Sequence, residues 1–227
     1  MQRLQILYED RYILVVNKPE HLLTVSTTKE KYNTLYHQVY TYIKKVNPKV
    51  KVFIVHRLDR DTSGVIVFAK LEKAKEYLQK HWDKYDREYL ALCKGKMDRF
   101  GVIKNYLKEN SEHMVYITQE SPDAKFAETE YEVLQPGYYN LVRINIKTGR
   151  KNQIRVHMKS INAPVVGDKK YALDKVNKHL YLHAYKLTIV HPITRREMTF
   201  IAPLPTYFSK YVRMTDDLKF AEGFYEG

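Results

Sequence analysis

The sequence predicts an α+β fold, a mixed and mainly antiparallel sheet with flanking helices, and three observations carry this expectation. Between residues 101 and 146, short runs that alternate apolar and polar residues follow one another: Val102-Ile103, Met114 to Ile117, Ala127 to Leu134 and Leu141 to Ile146. That alternation is the signature of half-buried strands in series. Two other segments, Thr34 to Val46 and Glu72 to Trp82, carry their apolar residues at helical spacing. No Gly-x-Gly-x-x-Gly and no Walker sequence occurs, so neither a dinucleotide nor a nucleoside triphosphate is indicated.

The chain has 227 residues, 44% hydrophobic and 29% charged, enough to bury a substantial core in one large domain or two small ones. No apolar run approaches the ~20 residues that span a bilayer, and Met1-Gln2-Arg3-Leu4 does not begin a signal-peptide core, so no membrane association and a cytoplasmic location are expected. The single cysteine, Cys93, excludes an intramolecular disulfide and a multi-cysteine zinc site, and within Tyr89-Leu90-Ala91-Leu92-Cys93 it reads as a small core residue. A net charge of +13 favours a polyanionic partner, because neutralising phosphates releases condensed counterions. Twenty tyrosines add rings on which bases can stack.

In chain order, Leu4 to Tyr8 and Tyr12 to Val16 read as strands around the polar turn Glu9-Asp10-Arg11. Asn17-Lys18-Pro19 ends the second strand, since Pro19 cannot donate to a ladder. Leu35, Val39, Tyr42 and Ile43 then lie on one face of a helix capped by Thr34. The apolar runs Val52 to Val55 and Val65 to Ala69 are short and rich in β-branched residues, as buried strands are. Between them stand His56-Arg57-Leu58-Asp59-Arg60-Asp61-Thr62-Ser63-Gly64. Placing two carboxylates, two guanidiniums, an imidazole and two hydroxyls between core strands is costly unless they pair with one another or with a ligand. The same residues also suit a solvated hairpin loop, for Asp-Thr-Ser-Gly is good turn chemistry.

A helix over Glu72 to Trp82 follows, with Ala74, Tyr77, Leu78 and Trp82 on its apolar side, and Trp82 reads as core. Arg87 to Gly95 reads as a strand. Thr148-Gly149-Arg150-Lys151-Asn152-Gln153-Ile154-Arg155-Val156-His157 opens a further helix, whose Ile154, Met158 and Ile161 share one face. His179 and His183 have the spacing of a helical metal pair, but Leu180 to Val190 reads as a strand, which separates the rings by ~13 Å, so no metal is expected. The tail from Thr206 to Gly227, with Tyr207, Phe208, Tyr211 and Phe220, reads as a short packed helix.

His-Arg-Leu-Asp-Arg-x-Thr-Ser-Gly at positions 56 to 64 resembles the catalytic motif of the RluA-type pseudouridine synthases, which isomerise uridine in RNA. Three further stretches resemble motifs of that family. Val15-Val16-Asn17-Lys18-Pro19 matches the first, except that His21 stands where glycine is usual. Arg87-Glu88-Tyr89-Leu90-Ala91 with Gly95 matches the next. Gly149 to His157, continuing into Pro164 to Asp168 and Tyr171, matches the third, with Asn152 in place of histidine. The resemblance covers about positions 8 to 208 and implies the pseudouridine synthase fold with a central catalytic cleft, as one catalytic domain over 1–227. Many relatives carry an S4-type RNA-binding domain ahead of the catalytic one, and the sixteen residues before Asn17 leave no room for it.

By resemblance, Asp59 is the essential carboxylate, Tyr89 packs against the target base, and Arg155 pairs with Asp59. Arg57 is expected to reach into the RNA helix beside the flipped nucleotide. With it, Lys18, Arg60, Arg150 and Lys151 are the candidate RNA contacts. The reaction needs no cofactor, and the expected partner is ribosomal RNA or tRNA, bound by a monomer. Two alternatives stay open: an RNA-binding protein without catalysis, and an Asp-x-Asp phosphatase built on Asp59 and Asp61, against which His56-Arg57-Leu58 intervenes between the strand and the first aspartate.

Overall fold

The computed structural model describes residues 4–28, 30–174, 176–213 and 223–226. In chain order the strands are β1 (Gln5–Glu9), β2 (Ile13–Lys18), β3 (Phe53–Ile54), β4 (Ser63–Ala69), β5 (Asp86–Lys94), β6 (Phe100–Glu109), β7 (Val115–Thr118), β8 (Lys125–Gln135), β9 (Tyr139–Ile146), β10 (Leu182–Val190), β11 (Glu197–Ile201) and β12 (Gly223–Glu226). The helices are α1 (Leu35–Val46), α2 (Glu72–Lys80) and α3 (Gln153–Ser160). The chain divides into two compact units, one of residues 4–85, 184–204 and 223–226, the other of residues 86–183 and 205–213. Every pairing whose register is described is antiparallel, as the alternating runs predict.

In the first unit the strands run β1-β2-β4-β10, with β3 beside β4, β11 beside β10 and β12 beside β11. Ile13, Val15, Val65, Val67, Ile189 and Phe200 form its core, against which Ala74 and Leu78 of α2 pack. The α1 helix starts where the sequence indicates: the Thr34 hydroxyl accepts from the His37 amide at 3.1 Å. Leu35, Val39 and Ile43 are buried, while Tyr42 stands at the rim and donates its hydroxyl to Glu9 at 2.7 Å. α2 ends at Lys80, two residues short of Trp82, which falls in a 3-10 turn, Trp82–Lys84, and packs against the core.

Lys18, the last residue of β2, lies opposite Gly64 on β4, so the Asn-Lys-Pro turn and the His56–Gly64 loop meet at one end of this sheet. Gly64 has φ +116°, and a Cβ there would sit 2.1 Å from the Ala184 carbonyl oxygen, so only glycine fits.

In the second unit the order is β5-β9-β8-β6-β7, and α3 packs on β7 and β8. Ala91, Cys93, Val142, Ile144, Ile154 and Met158 form its main core. Cys93 is fully buried, as expected, and burial pushes its thiol pKa well up. The predicted tail helix takes the form of a 3-10 helix, Thr206–Lys210, with Phe208 buried, whereas Phe220 lies outside the described residues. Among the described residues no helix is long and apolar enough to cross a membrane.

Candidate active site

The His56–Gly64 loop is held by two residues, Lys18 at the end of β2 and Thr24 in the segment that follows it. Lys18 has no exposed surface, and its ammonium donates to the carbonyl oxygens of Pro19, Leu22 and Arg60 at 2.9, 2.8 and 3.0 Å. Burial draws its pKa down to about 7, while Asp61, Asp59 and Glu20 act to keep it charged. The expected contact between Lys18 and RNA is therefore corrected: a side chain without exposed surface, its three protons directed at three carbonyls, is an anchor of the loop. Thr24 is the second anchor. Its hydroxyl donates to the Leu58 carbonyl at 2.8 Å and accepts from the Leu58 amide at 3.2 Å.

Asp59 thus follows a residue clamped on both its backbone groups and precedes one gripped by a buried ammonium. A turn closed from the Thr62 amide to the Asp59 carbonyl, 3.2 Å, fixes the loop on its far side. The Asp59 side chain is half-buried, and Arg57 and Arg60 are exposed. His56 accepts from the Val67 amide at 3.1 Å and stacks on Trp82 with ring centroids 4.2 Å apart, which makes its role in the motif structural.

His21 resolves the departure seen in the sequence. It takes the left-handed conformation, φ 59°, that a glycine would adopt there, and its Nδ1 lies 2.9 Å from an Asp61 carboxylate oxygen. The histidine supplies a tie that offsets part of the backbone strain.

In the second unit Arg155, on α3, is pinned by Asp168. Nε donates to Oδ2 at 2.8 Å and Nη2 to Oδ1 at 2.6 Å, with Arg155 7% and Asp168 1% exposed. This is a bidentate buried pair, and Asp168 Oδ1 also accepts from the amides of Lys170 and Tyr171, both at 2.9 Å. The Tyr171 ring lies 5.1 Å below the guanidinium, and its hydroxyl donates to Asn152 at 2.9 Å. Asn152, like His21, adopts a left-handed conformation, φ 53°, so the residue that departs from the family pattern serves as a loop anchor. Asp168 occupies the Nε edge of the guanidinium.

Tyr89 sits half-buried on β5, its ring against the second core, and Arg150 and Lys151 are exposed in the turn before α3. His157, on α3, is fully buried, with Nδ1 2.9 Å from the Thr129 hydroxyl and Nε2 without a hydrogen-bond partner among the described residues. Burial draws its pKa down to about 4.

The structure brings Asp59, Lys18 and Arg60 together in one unit and places Arg150, Lys151 and Arg155 on one segment of the other. Sequence reasoning passed over Thr24 and the holding role of Asp168. For Asp168 a signal exists: an aspartate followed by Lys-Lys-Tyr after a glycine is Asx-turn chemistry, which draws a carboxylate onto nearby amides. Thr24 left no signal, because its partner lies 34 residues away.

Comparison with known proteins identifies the family. The profile of a family described as RNA pseudouridylate synthase matches residues 12–160. An uncharacterised RNA pseudouridine synthase of Mycoplasma pneumoniae is 38% identical over 215 residues, covering 91% of this chain and 68% of that protein. The dual-specificity RNA pseudouridine synthase RluA of Escherichia coli is 36% identical over 214 residues, covering 88% of this chain and 93% of its own. Among solved structures, human RNA pseudouridylate synthase domain containing 4 superposes with a TM-score of 0.75 over 90% of each chain at 24% identity, a likeness of fold. These relatives favour neither the phosphatase nor the non-catalytic alternative.

Proposed function

This chain belongs to the RNA pseudouridylate synthase family and is an RNA pseudouridine synthase, an isomerase; from that premise we propose that it converts specific uridines of ribosomal RNA or tRNA, with Asp59 as the catalytic carboxylate. The observation that carries this reading is the anchoring of the loop around Asp59, where Lys18 and Thr24 hold the main chain on either side of a half-buried carboxylate. The main chain that carries such a carboxylate is pre-positioned by these contacts.

The isomerisation breaks the bond from ribose C1′ to base N1, turns the base and joins C1′ to C5, with the C5 proton lost to solvent and N1 reprotonated. It involves no net oxidation, and we read it as needing neither cofactor nor metal. Asp59 acts as nucleophile or base, roles that both require it ionised. The Arg155 guanidinium is the proposed partner that favours this state, with Asp168 setting its orientation. The target uridine leaves its stack at a cost of a few kcal/mol, offset by Arg57 filling the space and Tyr89 receiving the base. Arg60 and Arg150 are proposed to meet phosphates, and Lys151, paired with Glu109, to stand beside Arg150 at the RNA surface. The two compact units together make one catalytic domain, which works as a cytoplasmic monomer.

The test is to treat ribosomal RNA and tRNA fractions with wild type and Asp59→Asn and map pseudouridine by modification-specific reverse-transcription stops. Wild type should add stops at discrete uridines in one fraction, and Asp59→Asn should lose the activity by ~10⁴-fold. Equal maps from the two proteins would end the assignment of Asp59.

A further inference from the structure

The second unit contains a cavity of about 350 Å³ between β6, the start of β8 and the turn leading into α3, lined in part by Gly149, Arg150 and Lys151 of the third motif. Its walls carry four cations, Lys108, Lys125, Arg150 and Lys151, and two carboxylates, Glu109 and Asp123. Lys108 pairs with Asp123 at 2.6 Å and Lys151 pairs with Glu109. Each carboxylate has its pKa drawn below the usual range by those hydrogen bonds, so both are matched by a lysine. Lys125 and Arg150 have no carboxylate partner among the described residues, so the cavity holds two unmatched positive charges.

Arg150 is also the better built of the two. Its Nε donates to the Phe126 carbonyl at 2.8 Å, which fixes the plane of the guanidinium and leaves its two terminal nitrogens to face a ligand. Its backbone amide donates to the Gln153 side-chain oxygen at 3.0 Å. Gln153 is itself locked by Thr148 at 2.8 Å and by the Glu128 carbonyl at 2.9 Å. A preset fork beside an exposed point charge, over a space far larger than the ~30 Å³ of one water, is a seat for a phosphate oxygen pair.

We propose that this cavity binds one backbone phosphate of the RNA substrate, with Arg150 as the fork and Lys125 as the second charge. The paired lysines, Lys108 and Lys151, keep the rim neutral, so the unmatched charge is confined to one spot. This rests on the synthase reading for the identity of the polyanion. It goes beyond that reading in naming Lys125 and in confining the contact to this cavity, so that the site contributes affinity and register and carries no base preference.

Binding of two uridine-containing RNA hairpins of unrelated sequence is measured between 50 and 200 mM KCl for wild type, Lys125→Ala, Arg150→Ala, Arg150→Lys and the control Lys104→Ala. Lys104 is exposed and pairs with Glu128 at 3.3 Å. Lys125→Ala and Arg150→Ala should each weaken both hairpins by the same factor, roughly fivefold, and lower the slope of log affinity against log salt by about 0.7 to 0.9. Arg150→Lys should keep the slope while losing affinity, and Lys104→Ala should match wild type. An unchanged slope in both alanine variants, or a loss confined to one hairpin, overturns the proposal. A wild-type thermal midpoint raised by inorganic phosphate, with RNA binding indifferent to both alanine changes, makes this a site for free anion and overturns it as well. Pseudouridine is mapped in the same wild-type samples: RNA bound with the expected salt dependence but left unmodified counts against the chemistry assigned to Asp59 and leaves the cavity assignment standing.

Discussion

Asp59 and Arg155, the two groups on which the proposed chemistry depends, are held in opposite ways. The loop of Asp59 is fixed through its main chain, by a buried ammonium on the Arg60 carbonyl and a hydroxyl on both backbone groups of Leu58. Arg155 is fixed through its functional group, by a carboxylate that takes one edge of the guanidinium and two backbone amides at once. The difference follows from what each group must do. A reacting carboxylate is placed first by its backbone, and the grip on Leu58 and Arg60 sets where that backbone stands. A guanidinium has five donors and loses no charge when two of them are taken, so it can be tied directly and stay cationic.

If that contrast holds, the arms should respond unequally to loss of their anchors. Asp168→Ala leaves a 7% exposed guanidinium without its partner and should cost about 3–5 kcal/mol in urea denaturation followed by far-ultraviolet circular dichroism. Asp168→Asn keeps an acceptor for the Lys170 and Tyr171 amides and should cost less. A loss below about 1 kcal/mol for the alanine variant would break the contrast, since side-chain pinning would not be what orders this segment.

Acid separates the two arms next. His157 in the second unit is neutral down to about pH 4, against an ordinary value of 6.5, so between these values the unfolded chain binds more protons than the folded one. Stability should fall by about 3 kcal/mol as pH drops from 6.5 to 4, and His157→Gln should flatten that fall. Lys18 in the first unit acts in another window. With its pKa drawn from 10.5 to about 7, its contribution to stability rises as pH climbs between those values and is lost as pH falls through 7. A His157→Gln protein that keeps the full acid loss would place its cause elsewhere.

The smallest effect is expected at the main-chain anchor. Thr24→Val removes both hydrogen bonds to Leu58 and should cost about 1–2 kcal/mol. It should also slow pseudouridine formation by roughly tenfold through misplacement of Asp59, with Thr24→Ser restoring most of the rate. Valine keeping the full rate would sharpen the comparison by leaving Lys18 as the anchor that matters.

The sequence made the strands of the second unit legible because each buries one face only, so the alternation in Ala127 to Leu134 survives as a pattern. It made α1 legible because a cap and an apolar stripe coincide at Thr34, Leu35, Val39 and Ile43. It misjudged Lys18, since a lysine in a polar turn looks solvated whenever the carbonyls that surround it come from a distant loop. The Arg60 carbonyl is 42 residues away. The approach of Asp168 to Arg155 was hidden for the same reason: nothing local distinguishes a carboxylate that caps a turn from one that also captures a guanidinium on the preceding helix. The substitutions His21 and Asn152 were visible as departures, and only the backbone angles reveal that both are left-handed positions to which the side chain adds a tie.

The stacking of His56 on Trp82 has a practical consequence. The chain has one tryptophan, and its indole lies against the first residue of the segment that carries Asp59. Its emission therefore reports on that segment, so movement there when RNA docks can be followed by stopped-flow fluorescence with no dye attached.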